Sequence, residues 1–219
     1  MNSFLNEKSA TSTLRAVTTW VVQPLRARNT TLRFALVLAF VPAAIHAQVA
    51  LNAQFSQELE ENGLKFRETA LMGYTATPIS ANPHMNYELA VRSKKLPLEI
   101  RYAIRRWPPS FQTADDASIM LDATLLNIAK ATDRKDPASG ILNSVKFDTK
   151  AVRNDFNAEW GATALVIPKK EFAAGFDRCM VVYIFRKQTG AYMFYLFNDQ
   201  GKETAMEEIG KIFTILQFR

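Results

Sequence analysis

Residues 177–197 read DRCMVVYIFRKQTGAYMFYLF, and this stretch decides the fold. In its first half both alternating sets are hydrophobic, with Cys179, Val181, Tyr183 and Phe185 on one side and Met180, Val182 and Ile184 on the other. AYMFYLF, residues 191–197, repeats the pattern after an expected turn at Gly190. Successive side chains of a strand point to opposite faces, so a strand that is apolar on both faces is covered on both. The stretch predicts a central hairpin with a packed layer on each side.

Upstream, MNYELAVRSKKLPLEIRYAIRRW (85–107) alternates more simply. Met85, Tyr87, Leu89 and Val91 interleave with Asn86, Glu88, Ala90 and Arg92, and the apolar set resumes at Leu98, Ile100, Tyr102 and Ile104. This predicts a hairpin with one apolar face, nearer the sheet edge. Pairing its apolar positions sets Val91 against Leu98 and Leu89 against Ile100. Glu88 then faces Arg101 on the polar side, a cross-strand ion pair worth roughly 0.2–1 kcal/mol.

The remaining segments fill in around these hairpins. Residues 48–61 read as a polar lead-in, Asn62-Gly63 as a turn, and Leu64–Phe66 as a short strand. Residues 70–84, with Gly73, Pro78 and Pro83, read as extended or looped. Pro108-Pro109 ends the first hairpin, and Thr113 with Asp116 has the spacing of a helix N-cap. Ala117, Leu121, Leu125 and Ile128 fall on one face of a helix expected to run to about Thr132, before DRKDPASG terminates it. Residues 141–147 predict a strand, 149–160 a bend or short helix, and 164–167 another strand. From Glu203 a second helix is expected to turn Ala205, Ile209, Ile212, Phe213 and Leu216 inward.

The fold class is therefore α+β: a mostly antiparallel sheet of two hairpins plus short strands, packed with helices in a three-layer sandwich. One domain is expected over 62–219. The order of GLKF, MNYELAVR with LEIRYAIRRW, a helix, CMVVYIFRK with AYMFYLFND and a final helix resembles the PsbP-like superfamily over roughly residues 62–218. The resemblance lies in element order, and no signature motif matches residue by residue. It implies a small binding or accessory module rather than an enzyme, and assigns no ligand residue.

Charge and hydropathy point to export. Residues 1–47 carry five basic side chains against Glu7, so +4 of the net +6 lies there and +2 remains for 48–219. RFALVLAFVPAAIHAQ (33–48) has the basic start, apolar run and small residues of a signal peptide, with Ile45 and Ala47 suiting cleavage after Ala47. The run falls short of the about 20 apolar residues a bilayer-spanning helix needs. An exported protein, periplasmic or extracellular and not membrane-spanning after cleavage, is expected. Near-neutral charge after residue 47 argues against a nucleic-acid partner. Cys179 is the sole cysteine, so no intrachain disulfide forms.

Candidate chemistry centres on NDFNAEWGAT (154–163). Asp155, Asn157 and Glu159 alternate as in a calcium loop, but that loop needs Gly at its sixth position and Glu at its twelfth, where this chain has Trp160 and Val166. A packed Trp160 with a tight bend at Gly161 is the structural reading; a small-ligand or metal site, or a hydrolase using these carboxylates, is the alternative. After export His84 and Cys179 would be the only imidazole and thiol, too few for a zinc site, and no cofactor is expected. No serine lies in a nucleophile elbow and no glycine-rich phosphate loop occurs. The expected activity is therefore binding of a protein or envelope component, without catalysis. The candidate contacts are Arg101 and Arg105 on the first hairpin's polar face and the Trp107 to Phe111 corner, where two aromatics flank a rigid diproline.

Overall fold

The computed structural model describes residues 49–219, and every element below belongs to them. The leader over 1–47 and its cleavage site lie outside the described residues.

The central prediction holds. Strands β7 (Arg178–Arg186) and β8 (Thr189–Phe197) form a hairpin, and 49 hydrophobic residues line the two faces around it, with seven of nine positions in β7 buried. β8 pairs on its other side with β4 (Glu99–Arg106), which pairs with β3 (Leu89–Ser93), which pairs with β2 (Tyr74–Ala76). β7 continues to β6 (Trp160–Val166) and β5 (Ile141–Lys146). The seven-stranded sheet runs β2-β3-β4-β8-β7-β6-β5, antiparallel throughout. A separate two-stranded sheet joins β1 (Leu64–Phe66) to β9 (Leu216–Phe218).

Helices cover both faces, which completes the three layers. On one face lie α1 (Ala53–Glu61), α3 (Thr149–Phe156), α4 (Lys202–Ile212) and the β1-β9 ribbon, packing Phe55, Phe156, Ile209 and Leu216 onto Ile100, Val182 and Tyr195. On the other, α2 (Ala114–Ile128) and the 168–176 segment pack Leu121, Leu125 and Phe172 onto Val181, Tyr192 and Phe194. Burying a Leu of this kind contributes about 1.5–3 kcal/mol. The N-terminus of α2 has the expected cap: Thr113 N–H donates to the Asp116 carboxylate at 2.8 Å, and Asp116 N–H donates to the Thr113 hydroxyl at 3.1 Å.

Several expectations are corrected. The segment 48–61 contains α1, whose Asn52 cap accepts from Phe55 N–H at 2.7 Å and whose Phe55 is fully buried. With only Phe55 and Leu59 turned inward, its apolar stripe is too thin to read from sequence. α2 stops at Ile128, because Ala129 bridges to Pro168 and Lys130 N–H donates to the Ile167 carbonyl. α4 stops at Ile212, and Leu216 enters the core from β9 instead of from a helix. β6 begins at Trp160, four residues earlier than expected, and Gly161 lies within it; a Cβ there would stand 2.7 Å from Val152 Cγ2, so glycine serves the close approach of α3. The turn of the central hairpin is Lys187-Gln188, with Lys187 at φ 56°, and Gly190 is already in β8.

The register of the first hairpin also differs. Val91 pairs with Ile100 and Leu89 with Tyr102, so Ala90, not Glu88, faces Arg101. Pairing in the expected register would place Pro97, which has no N–H, in the ladder against Arg92. The chain instead closes a longer loop, with Ser93 N–H donating to the Leu98 carbonyl at 2.9 Å.

Candidate interaction site

The first hairpin's polar side is an interior. Glu88, Glu99 and Arg101 are the buried charged residues among those described, at 7%, 4% and 8% exposure. The 168–176 segment lies over Arg101. Arg101 donates through Nε to Glu99 Oε1 at 2.8 Å and through a terminal nitrogen to the Phe172 carbonyl. Its guanidinium stacks between the Tyr87 ring at 4.7 Å and the Phe172 ring at 5.3 Å. Glu99 also accepts from Arg92 Nε at 3.1 Å. Burying charge is costly unless every polar atom is engaged, and here the pair and its neighbours engage them.

Arg101 is therefore not placed where a partner could reach it. Arg105 is half-buried and equally committed, donating to Glu88 Oε1 at 2.7 Å and to the Asn86 carbonyl. Glu88 Oε2 in turn accepts from Ile104 N–H at 2.9 Å. The expected partner of Glu88 was Arg101; the two-residue register change gives it Arg105 instead. A cleft of about 440 Å³ opens beside this pair, lined by Asn82, His84 and Asn86 among others.

The Asp155 segment lies against β9 and the turn of the central hairpin. Asn157 ends α3 in the left-handed conformation, φ 49°, and its amide donates to the Arg219 carbonyl at 2.7 Å. The Asp155 carbonyl accepts from Gln217 Nε2 at 2.6 Å. The Glu159 carboxylate accepts from Lys187 N–H at 3.0 Å, holding the strained turn of the central hairpin. Trp160 is buried, 5.8 Å from the Tyr183 ring. Asn157 and Glu159 thus hold the C-terminal strand and the turn of the central hairpin, and Asp155 takes part through its backbone carbonyl. Among the described residues no group of three or more His, Cys, Asp or Glu side chains stands close enough to hold a metal. Cys179 is buried, and burial raises its thiol pKa well above the ordinary value.

The Trp107 to Phe111 corner remains open to solvent. Both rings are half-buried and lie 6.4 Å apart at 37°. The indole Nε1–H donates to the Tyr183 hydroxyl, and Trp107 N–H donates to the Gln188 carbonyl at 2.7 Å. The corner is thus fixed to the turn end of the central hairpin, with Pro108 and Pro109 exposed.

On the same side of the sheet the outer line of α2 carries Ile119 and Leu126, 57% and 45% exposed. They stand seven residues apart, two turns along one face, away from the buried line of Leu121 and Leu125. Sequence reading passed over them because the inward stripe alone explains a helix. The signal was nevertheless present: ADDASIMLDATLLNI carries Ile119 and Leu126 outside its inward line and contains no basic residue.

No protein-family model matches the chain, and no curated protein matches it in sequence. Among solved structures it is similar to cyanobacterial PsbP (CyanoP) from Synechocystis sp. PCC 6803. The TM-score is 0.48 with 10% identity, over 73% of this chain and 88% of that one. No residue role passes with this similarity. No described helix is long and apolar enough to cross a membrane.

Proposed function

We propose that this chain is an exported, non-catalytic accessory domain that binds a protein or envelope component through its α2 layer. The observation that carries the reading is the exposure of Ile119 and Leu126 on the outer line of α2, on the side that also holds the half-buried Trp107 and Phe111. Large apolar side chains grouped on one face favour a protein contact, and aromatic residues are enriched at interface centres. Asp115 and Asp122 flank the strip and no cation accompanies them on the helix, which favours a partner with basic residues around an apolar centre. Export rests on the basic and apolar leader over 33–48, and the accessory role is the one the resemblance in element order implies.

A photo-reactive residue placed at 119 or 126 in the source cell tests this. The reading expects one discrete adduct from both positions and none from Lys95, on the far loop of the first hairpin. Ile119→Lys with Leu126→Lys should abolish the adduct formed from position 111 while leaving the melting temperature unchanged. An adduct pattern equal at 95 and 119 would sink it. Export is checked separately, by a mature mass beginning at Gln48.

A further inference from the structure

The sheet face under α1, α3 and α4 is not covered to its end. Between β5 and α4 the register brings Val145, Leu165, Met180 and Phe197 onto one face, with Met206 and Lys202 of α4 as the facing wall. The groove they enclose has a volume of about 310 Å³, within the range of small-molecule sites. Val145 is 49% exposed and Met206 42%, so the apolar lining is open to solvent.

Its charge is one-sided. Lys202 is the sole charged residue lining the groove; Asn143 and Thr163 supply its other polar groups. Among the described residues the Lys202 side chain has no ion pair or hydrogen bond. The nearby Asp199 carboxylate is held by Arg178 Nε at 3.4 Å. Lys202 is also the first residue of α4, whose cap, Gly201, has no side chain to accept from the free N–H groups. The Lys202 N–H donates to the Asp199 carbonyl at 3.1 Å and Glu203 offsets the positive end of the helix, so the ammonium is the charge that the groove itself presents.

We propose that this groove binds a monoanionic amphiphile, a single free acyl chain ending in a carboxylate. The chain lies over Met180, Phe197 and Met206, and the carboxylate pairs with Lys202. A cationic or uncharged analogue finds the same apolar floor but no counter-charge. The flexible thioethers of Met180 and Met206 suit a chain of variable length. The site is on the opposite side of the sheet from α2 and stands independently of the partner surface there.

The test is titration of the full chain, by calorimetry and methionine-methyl NMR, with decanoate, decanol and decyltrimethylammonium, each below its micelle concentration. Decanoate should bind tightest and shift the methyls of Met180 and Met206. Shorter carboxylates should weaken by roughly fourfold per methylene removed. Lys202→Met should weaken decanoate roughly three- to tenfold and leave decanol unchanged. Met206→Glu should weaken decanoate further, with the melting temperature of both variants unaltered because both side chains are exposed. Equal affinity for decanoate and decyltrimethylammonium, indifference of decanoate to both substitutions, or binding seen only with anionic phospholipid vesicles would each overturn the proposal, the last by assigning the surface to a bilayer.

Discussion

The indole Nε1–H of Trp107 donates to the hydroxyl of Tyr183 at 3.2 Å, tying the loop that leaves β4 to the centre of β7. Tyr183 in turn stacks on Tyr192 with ring centroids 4.1 Å apart at 14°. The exposed corner is therefore continuous with the aromatic floor under α2.

Trp107→Phe keeps most of this packing and removes one hydrogen bond, so it should cost about 0.5–1.5 kcal/mol in urea denaturation. Gly190→Ala should cost about 1–3 kcal/mol, because its Cβ would stand 2.5 Å from Tyr183 Cε2 and 2.9 Å from the indole nitrogen. A neutral result for Gly190→Ala would show that the corner can move without disturbing β7.

The buried Glu99–Arg101 pair predicts an asymmetry. Glu99→Gln leaves the Arg101 guanidinium without its counter-charge in a site 8% exposed, and should destabilise by about 3 kcal/mol. Arg92→Met, at the other end of the same carboxylate, should cost less than about 1 kcal/mol, since the Arg92 side chain is 54% exposed. Glu99→Leu combined with Arg101→Met should recover much of the loss, as apolar replacements of a buried pair often do. Denaturation midpoints of the three variants decide this.

Cys179 reports opening of the central hairpin. Its thiol is buried and its pKa raised by burial, so iodoacetamide at neutral pH should label it only through unfolding. The labelling rate should rise with urea in step with the global transition. Rapid labelling without denaturant would mean that the layer of α2 and the 168–176 segment opens locally.

Alkali should unfold the protein through its tyrosines. Burial pushes Tyr192 from 10.0 to about 12, with Tyr183 and Tyr195 raised further. A raised folded pKa favours the protonated native state. Stability should be level below pH about 10, where folded and unfolded forms are both protonated, and should fall as pH rises from there through about 12. Tyr192→Phe should flatten the slope in melting temperatures taken from pH 9 to 12. An unchanged slope would assign alkaline loss to other groups.

Local chemistry made much of this legible. The two-sided apolar runs at 177–197 predicted the middle of the sheet, because burial on both faces must be written into consecutive residues. The Thr113–Asp116 cap, the inward line of α2 and the strands at 64–66 and 141–146 were likewise local patterns. The candidate surface was read less well. Alternation shows which residues share a face and not what covers that face, so it gives no sign that Arg101 is buried.

By itself, then, the sequence determined the α+β class, the central hairpin, the Thr113–Asp116 cap and the inward apolar line of α2, since each depends on neighbours within a turn or a strand. Tertiary structure alone decided the pairing of β1 with β9, the register around Pro97, the burial of Arg101 under Phe172 and the groove beside Lys202. The β1–β9 pairing and the Arg101–Phe172 contact join segments more than sixty residues apart, and the register around Pro97 answers to a missing N–H that hydrophobic alternation does not show.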